Sequence, residues 1–250
     1  MPTAPWWQCC GPCPGRLEAA RLPPAAAALT PPLPLAEAAL GWLLQPTCPY
    51  CGGASETGDR RSAACANCEQ TLALPAGGLH GLHPLPWWGA GRYEQGLRRL
   101  LLRLRQQPRE AAVAALVQQL RPGLPARLPH ALLVPIPGWK RPGNPLPALL
   151  CKQLQRQLGL SRAELLQRHH AVVGQHHLGR LQRQQNQQGA FRCLRPPLAG
   201  QARRRPLLLV DDILTSGATA LSATATLEAC GWRVAGLLCL ARTPLSRDRL

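Results

Sequence analysis

Residues 207–220, LLLVDDILTSGATA, restrict the possible folds of this chain more than any other stretch. Leu207, Leu208, Leu209 and Val210 read as a strand buried on both faces, and they run directly into two carboxylates, Asp211 and Asp212. Small residues follow, Thr215, Ser216, Gly217, Ala218 and Thr219, which favour a helix start. A helix N-terminus exposes unpaired amides and a partial positive charge, so residues 215–219 can wrap a phosphate with backbone N–H groups and hydroxyls. Gly217 lets the backbone approach closely. The two acids then lie a sugar ring's width from that phosphate, placed to accept hydrogen bonds from ribose hydroxyls and to hold a hydrated Mg²⁺ ion. The lysine of GxxxxGK[ST] is missing, which excludes a P-loop NTPase. Taken piece by piece the stretch is an ordinary βα turn with an acidic strand end and a Thr or Ser cap. The complete word favours the sugar-phosphate grip.

A second constraint comes from residues 48–70, CPYCGGASETGDRRSAACANCEQ. Cys48 and Cys51 form one CxxC pair, Cys65 and Cys68 another, and a 13-residue loop separates them. Each CxxC turn presents two thiolates to one ion, so the two pairs complete a closed tetrahedral Cys₄ zinc site. Closed coordination makes the zinc structural, without a position for chemistry. Chelation is expected to unfold residues 48–70 and leave the sheet intact. Cys9, Cys10 and Cys13 have no fourth partner nearby and receive no defined role.

With 250 residues the chain has room for one medium α/β domain and a small appendage. No run of eighteen apolar residues occurs, which argues against a membrane span. The N-terminus lacks the basic and apolar regions of a secretory signal, so a cytoplasmic location is expected. The net charge of +17 is unevenly placed. Residues 1–80 hold four Arg against five acids, whereas residues 139–205 hold thirteen Lys and Arg against one acid, Glu164. That field attracts polyanions, either a diphosphate-bearing small molecule or a nucleic-acid backbone. A solubilising, arginine-biased surface explains the composition equally well.

Residues 1–47 carry ten prolines and read as a loosely ordered arm with one short helical candidate, 35–44. Residues 48–78 form the zinc ribbon, and 79–250 the α/β domain. Within it, 94–106 and 109–121 have amphipathic helix spacing, 131–136 reads as a buried strand ending in prolines, and 146–158 as a helix. The segment 169–191, with four histidines and six glutamines, resembles a low-complexity loop, and no acid or cysteine within it completes a metal site. A strand at 207–212, a helix from about 218 to 230 and a strand at 234–240 close the chain. Strands alternating with helices predict a doubly wound, mostly parallel sheet with ligand at the carboxyl ends of its strands.

The word at 207–220 resembles the 5-phosphoribosyl 1-diphosphate (PRPP) motif of type I phosphoribosyltransferases. That resemblance implies that Asp211 and Asp212 bind the ribose hydroxyls and that Thr215, Ser216, Gly217, Ala218 and Thr219 bind the 5′-phosphate, with Mg²⁺ accompanying PRPP. Three further features occur in order: the CxxC pairs, VPIP followed by a basic turn, and Gln175, Leu178, Arg183, Asn186, Gly189, Ala190 and Phe191 in the pattern Q-x-x-L-x-x-x-x-R-x-x-N-x-x-G-A-F. Together they resemble the ComF family of competence proteins over residues 48–243. The resemblance implies a bacterial zinc ribbon fused to a phosphoribosyltransferase-like domain, acting on DNA taken up in natural transformation. Lys140, Arg141, Arg180 and Arg183 are then candidates for diphosphate contact, the last two from a closing loop. The family's RGFNQ segment is RPGNP here, keeping Arg141 and Asn144. Single-stranded DNA and a competence helicase are the expected macromolecular partners, either beside transferase activity or in place of it.

Overall fold

A computed structural model describes residues 47–55, 64–125, 130–138, 143–168, 190–200 and 205–244. The proline-rich arm, Lys140, Arg141 and the loop carrying Arg180 and Arg183 lie outside them. Residues 45–250 form one compact unit. In chain order its helices are α1 (Ala66–Leu72), α2 (Gln95–Gln106), α3 (Glu110–Leu120), α4 (Leu146–Leu158) and α5 (Ala218–Ala229). Its strands are β1 (Leu79–Gly81), β2 (Trp87–Arg92), β3 (Leu132–Pro135), β4 (Ser161–Arg162), β5 (Leu166–Arg168), β6 (Phe191–Cys193), β7 (Leu207–Val210), β8 (Ile213–Leu214) and β9 (Val234–Arg242). No described helix is long and apolar enough to cross a membrane.

The main sheet runs β1-β2-β9-β7-β3-β4, with β8 beside the end of β9. Only the β1–β2 pair is antiparallel; the remaining pairs in this sheet are parallel. Helices cover both faces, so the central strands are apolar throughout and their residues divide by parity. Leu208 and Val210 of β7, Leu133 of β3 and Leu238 and Leu240 of β9 pack with α2, α3 and α4. Leu207 and Leu209, Leu132 and Val134, and Leu237 and Cys239 pack with α5 and the β5–β6 hairpin. This is the mixed α/β, mostly parallel architecture expected from the alternating pattern.

Two differences from the sequence reading matter for the site. The strand ends at Val210, two residues early, and Ile213–Leu214 return to the sheet as β8. The nine-residue β9 continues to Arg242 and supplies the edge that β8 joins, with Ile213 opposite Ala241 and Leu214 opposite Arg242. The second difference concerns the cysteine unit. Cys48, Tyr50 and Ala64 belong to the same buried cluster as Leu97, Leu101 and Leu116, so the core runs across the 78/79 boundary. Gly96 permits this approach, because a Cβ there would meet the Thr71 carbonyl oxygen at 2.2 Å.

Candidate functional site

The chain leaves the adjacent strands β3 and β7 in opposite directions. After β3, α4 lies on one face and leads outward to β4; after β7, α5 lies on the other and leads to β9. A crevice between such strands, at their carboxyl ends, is where open parallel sheets bind ligands. Here it is a cavity of about 490 Å³ walled by Arg105, Pro137, Gly138, Asn144, Arg168, Asp211 and Thr219, among others.

Asp211 and the last residue of the small-residue loop, Thr219, meet at this point. Gly217 caps α5 in the left-handed region, at φ 82°. Its hydrogen faces Pro84, and a Cβ would sit 2.1 Å from Pro84 Cγ. Gly217→Ala therefore combines backbone strain with a clash, and we expect it to cost about 2–4 kcal/mol of stability. A denaturant midpoint unchanged from wild type would contradict this. Two loop carbonyls are tied to β9: Arg242, almost fully buried, donates from Nη1 to the carbonyls of Leu214 (3.0 Å) and Thr215. Ser216 Oγ accepts from the Ala218 amide at 3.4 Å. As at any helix start, the first-turn amides of α5 have no acceptor within the helix, and such an end favours an anion.

Asp211 and Asp212 leave β7 on a turn tied to β9. The Asp211 amide donates to the Leu238 carbonyl at 3.1 Å, and the Asp212 carbonyl accepts from Leu240 and Ala241 at 3.0 and 3.1 Å. Asp211 Oδ1 accepts from the Asp212 amide at 2.8 Å. Burial, reinforced by the neighbouring Asp212 charge, pushes the Asp211 carboxyl up to about 8. Asp212 Oδ2 accepts from Arg105 Nε at 2.7 Å and Asn144 Nδ2 at 2.6 Å. Asn144 Oδ1 also accepts from the Leu146 amide at 3.1 Å, so one side chain binds both the first residue of α4 and the acid. Arg168 stands across the cavity with its guanidinium 4.6 Å from the centre of the Phe191 ring. Burial lowers its pKa, opposed by the charge of Asp211.

Three of these residues escape a sequence reading. Arg105 lies on the polar side of an amphipathic helix, and nothing local distinguishes it from Arg98 or Arg99. Arg168 precedes a low-complexity stretch. Asn144 alone left a trace, as the residue retained in RPGNP.

The four cysteines of the CxxC pairs come together. Their sulfur atoms all lie within 4.8 Å of one another, with 3.7 Å between Cys51 Sγ and Cys65 Sγ. A tetrahedral zinc with bonds of about 2.3 Å needs sulfur–sulfur edges of about 3.8 Å, so the donor set fits that ion. The two pairs are built differently. Cys48 and Cys51 flank a turn closed by the Thr47–Ala54 bridge, whereas Cys65 caps α1 and Cys68 lies in its first turn. The Gly53 amide points at Cys51 Sγ from 3.4 Å, and Arg109 Nη1 donates to the Tyr50 carbonyl at 3.3 Å. Burial raises the Cys48 thiol, but hydrogen bonds from backbone amides beginning with Cys65 outweigh it and bring it down to about 6; burial pushes Cys68 up. Such an uneven set of thiols gains a common anionic state from a metal.

Comparison of the chain with family models and with curated proteins finds no match in either.

Proposed function

We propose that the crevice binds a 5-phosphorylated ribose, with PRPP and its Mg²⁺ as the principal ligand, in a phosphoribosyltransferase-like protein of ComF type. The observation that carries the reading is that Asp211 of the acid pair and Thr219 of the TSGAT loop border one cavity at the strand-order reversal. The α5 end and the hydroxyls of Thr215, Ser216 and Thr219 hold the 5′-phosphate, and the acid turn meets the ring hydroxyls. Arg168, across the cavity from Asp211, supplies positive charge for a diphosphate. Transfer from such a ligand needs little more than orientation and charge stabilisation, because the leaving diphosphate departs from an oxocarbenium-like sugar. Mg²⁺ bound with PRPP would neutralise part of the diphosphate charge. The Cys₄ cluster holds structural zinc, and the protein acts on incoming DNA during natural transformation.

Incubating the purified protein with PRPP, Mg²⁺ and each free nucleobase tests the reading. We expect PRPP to bind, and Asp211→Asn to weaken it at least about 10-fold, the loss typical of a hydrogen bond whose buried partner is removed. Diphosphate release dependent on one base establishes transfer; binding without release on any base leaves a ligand-sensing module. Absence of PRPP binding would remove the proposal.

A further inference from the structure

The two adjacent acids are not equivalent. Asp212 is 3 % exposed and does not line the cavity. Its Oδ2 is occupied by the Arg105 Nε and Nη2 groups, at 2.7 and 2.6 Å, and by Asn144 Nδ2 at 2.6 Å. Three parts of the fold are thereby joined at one oxygen: α2 through Arg105, the start of α4 through Asn144, and the β7 turn. Turning Asp212 toward a ligand would strip a guanidinium and a carboxamide of their partner. Asp211 does line the cavity, but its Oδ1 is committed to the Asp212 amide at 2.8 Å, which leaves at most one carboxyl oxygen for a ligand. Among the described residues no second carboxylate borders the cavity.

We propose that Asp212 is the internal counter-ion of Arg105 and that Asp211 is the one carboxylate among the described residues that reaches the sugar, so the pocket reads one ring hydroxyl of a 5-phosphorylated pentose through a carboxyl group and the other not. This rests on the phosphoribosyl reading of the site and departs from what the PRPP-motif resemblance implies, namely an acid for each hydroxyl. A pocket rejects an analogue lacking a hydroxyl only where its own polar group is left unpaired. With one reader, removal of one hydroxyl is felt and removal of the other is not. The ligand class therefore widens to include one of the two deoxypentose 5-phosphates. Arg105 and Asn144 are positioning residues: they hold Asp212 out of the pocket and set the turn that aims Asp211 into it.

The test is calorimetric titration of the full zinc-loaded chain with ribose 5-phosphate, 2-deoxyribose 5-phosphate and 3-deoxyribose 5-phosphate. Thermal melts of wild type, Arg105→Met, Asp212→Asn and the double variant run beside it. We expect one deoxy sugar to bind within about 3-fold of ribose 5-phosphate and the other at least about 10-fold more weakly, as for a single lost hydrogen bond to a buried partner. The double variant should melt well above the sum of the single losses, because each single change strands the partner left behind. Arg105→Lys should restore sugar binding that Arg105→Met weakens. Weakening of both deoxy sugars, or of neither, overturns the single-reader assignment. An Asp212→Asn variant that melts like wild type but binds ribose 5-phosphate poorly makes Asp212 a ligand contact and overturns the counter-ion. Failure of wild type to bind any of the three sugars refutes the phosphoribosyl reading itself, while the Arg105–Asp212 cycle still decides the ion pair.

Discussion

Stripping zinc with a strong chelator should cost the folded chain more than its cysteine turns. Structural zinc sites bind with roughly 10–16 kcal/mol in isolated peptides, comparable with the whole stability of a domain, about 5–15 kcal/mol. Here the cysteine unit is part of a larger core. Cys48 is fully buried, and with Tyr50 and Ala64 it shares a cluster with the inward residues of α2 and α3. Even a third of the metal's free energy, about 4–5 kcal/mol, would lower the melting temperature by roughly 10–20 °C in a chain of this size. Hydrogen exchange should show lost protection at 47–55 and 64–72 and weakened protection along α2 and α3, while the central strands β3, β7 and β9 stay protected. Cys48→Ser should reproduce the effect, and added Zn²⁺ should reverse only the chelated wild type. Protection of 64–72 unchanged by chelation would remove the Cys₄ assignment. The sequence alone suggested a ribbon that unfolds by itself; the shared core extends the damage to two helices.

Asp211 should make the fold less stable as pH rises. In the unfolded chain its carboxyl loses its proton near the ordinary value of 3.8; in the folded chain, burial and the adjacent Asp212 charge hold the proton to about 8. Between these values the folded state binds more protons than the unfolded one, so the slope of unfolding free energy with pH is negative. The stabilisation is fully present below about pH 4 and is lost as pH climbs through about 8. Asp211→Asn keeps the shape and removes the titration. Its melting temperature should match wild type near pH 4 and exceed it by a margin that widens with pH to several degrees or more at pH 9, a gap that other titrating groups cannot produce because both proteins share them. Curves that stay parallel from pH 5 to 9 would show that Asp211 ionises normally. The same proton bears on the proposed ligand, because a neutral carboxyl could donate to a sugar hydroxyl as well as accept from it.

The parts of this protein that can be read along the chain are those whose physics is local. Leu207 to Val210 announce a buried strand because a strand covered on both faces has no polar side to show. The TSGAT loop announces a helix start because its small and hydroxyl residues suit unpaired amides, and Gly217 suits a left-handed cap. Two CxxC pairs announce a metal because each places two sulfurs on one turn. Helix α4 falls at 146–158, where its apolar spacing predicts it.

What the chain does not announce depends on residues far apart in sequence. Arg105 and Asp212 are 107 positions apart and Asn144 and Asp212 are 68 apart, so no periodicity or motif could join them. The equality of DD in the sequence is broken only in three dimensions, where α2 and α4 reach one carboxylate and the cavity reaches the other. The fusion of the cysteine unit to the core has the same origin, in the contact of Gly96 with Thr71 across separate helices. Sequence alone determined the strand, the helix start at TSGAT and the four sulfurs, because each is a short-range pattern of backbone and side-chain chemistry. Tertiary structure decided which acid faces the cavity and what the cysteine cluster packs against, because desolvation and pairing of a charge depend on what folds around it.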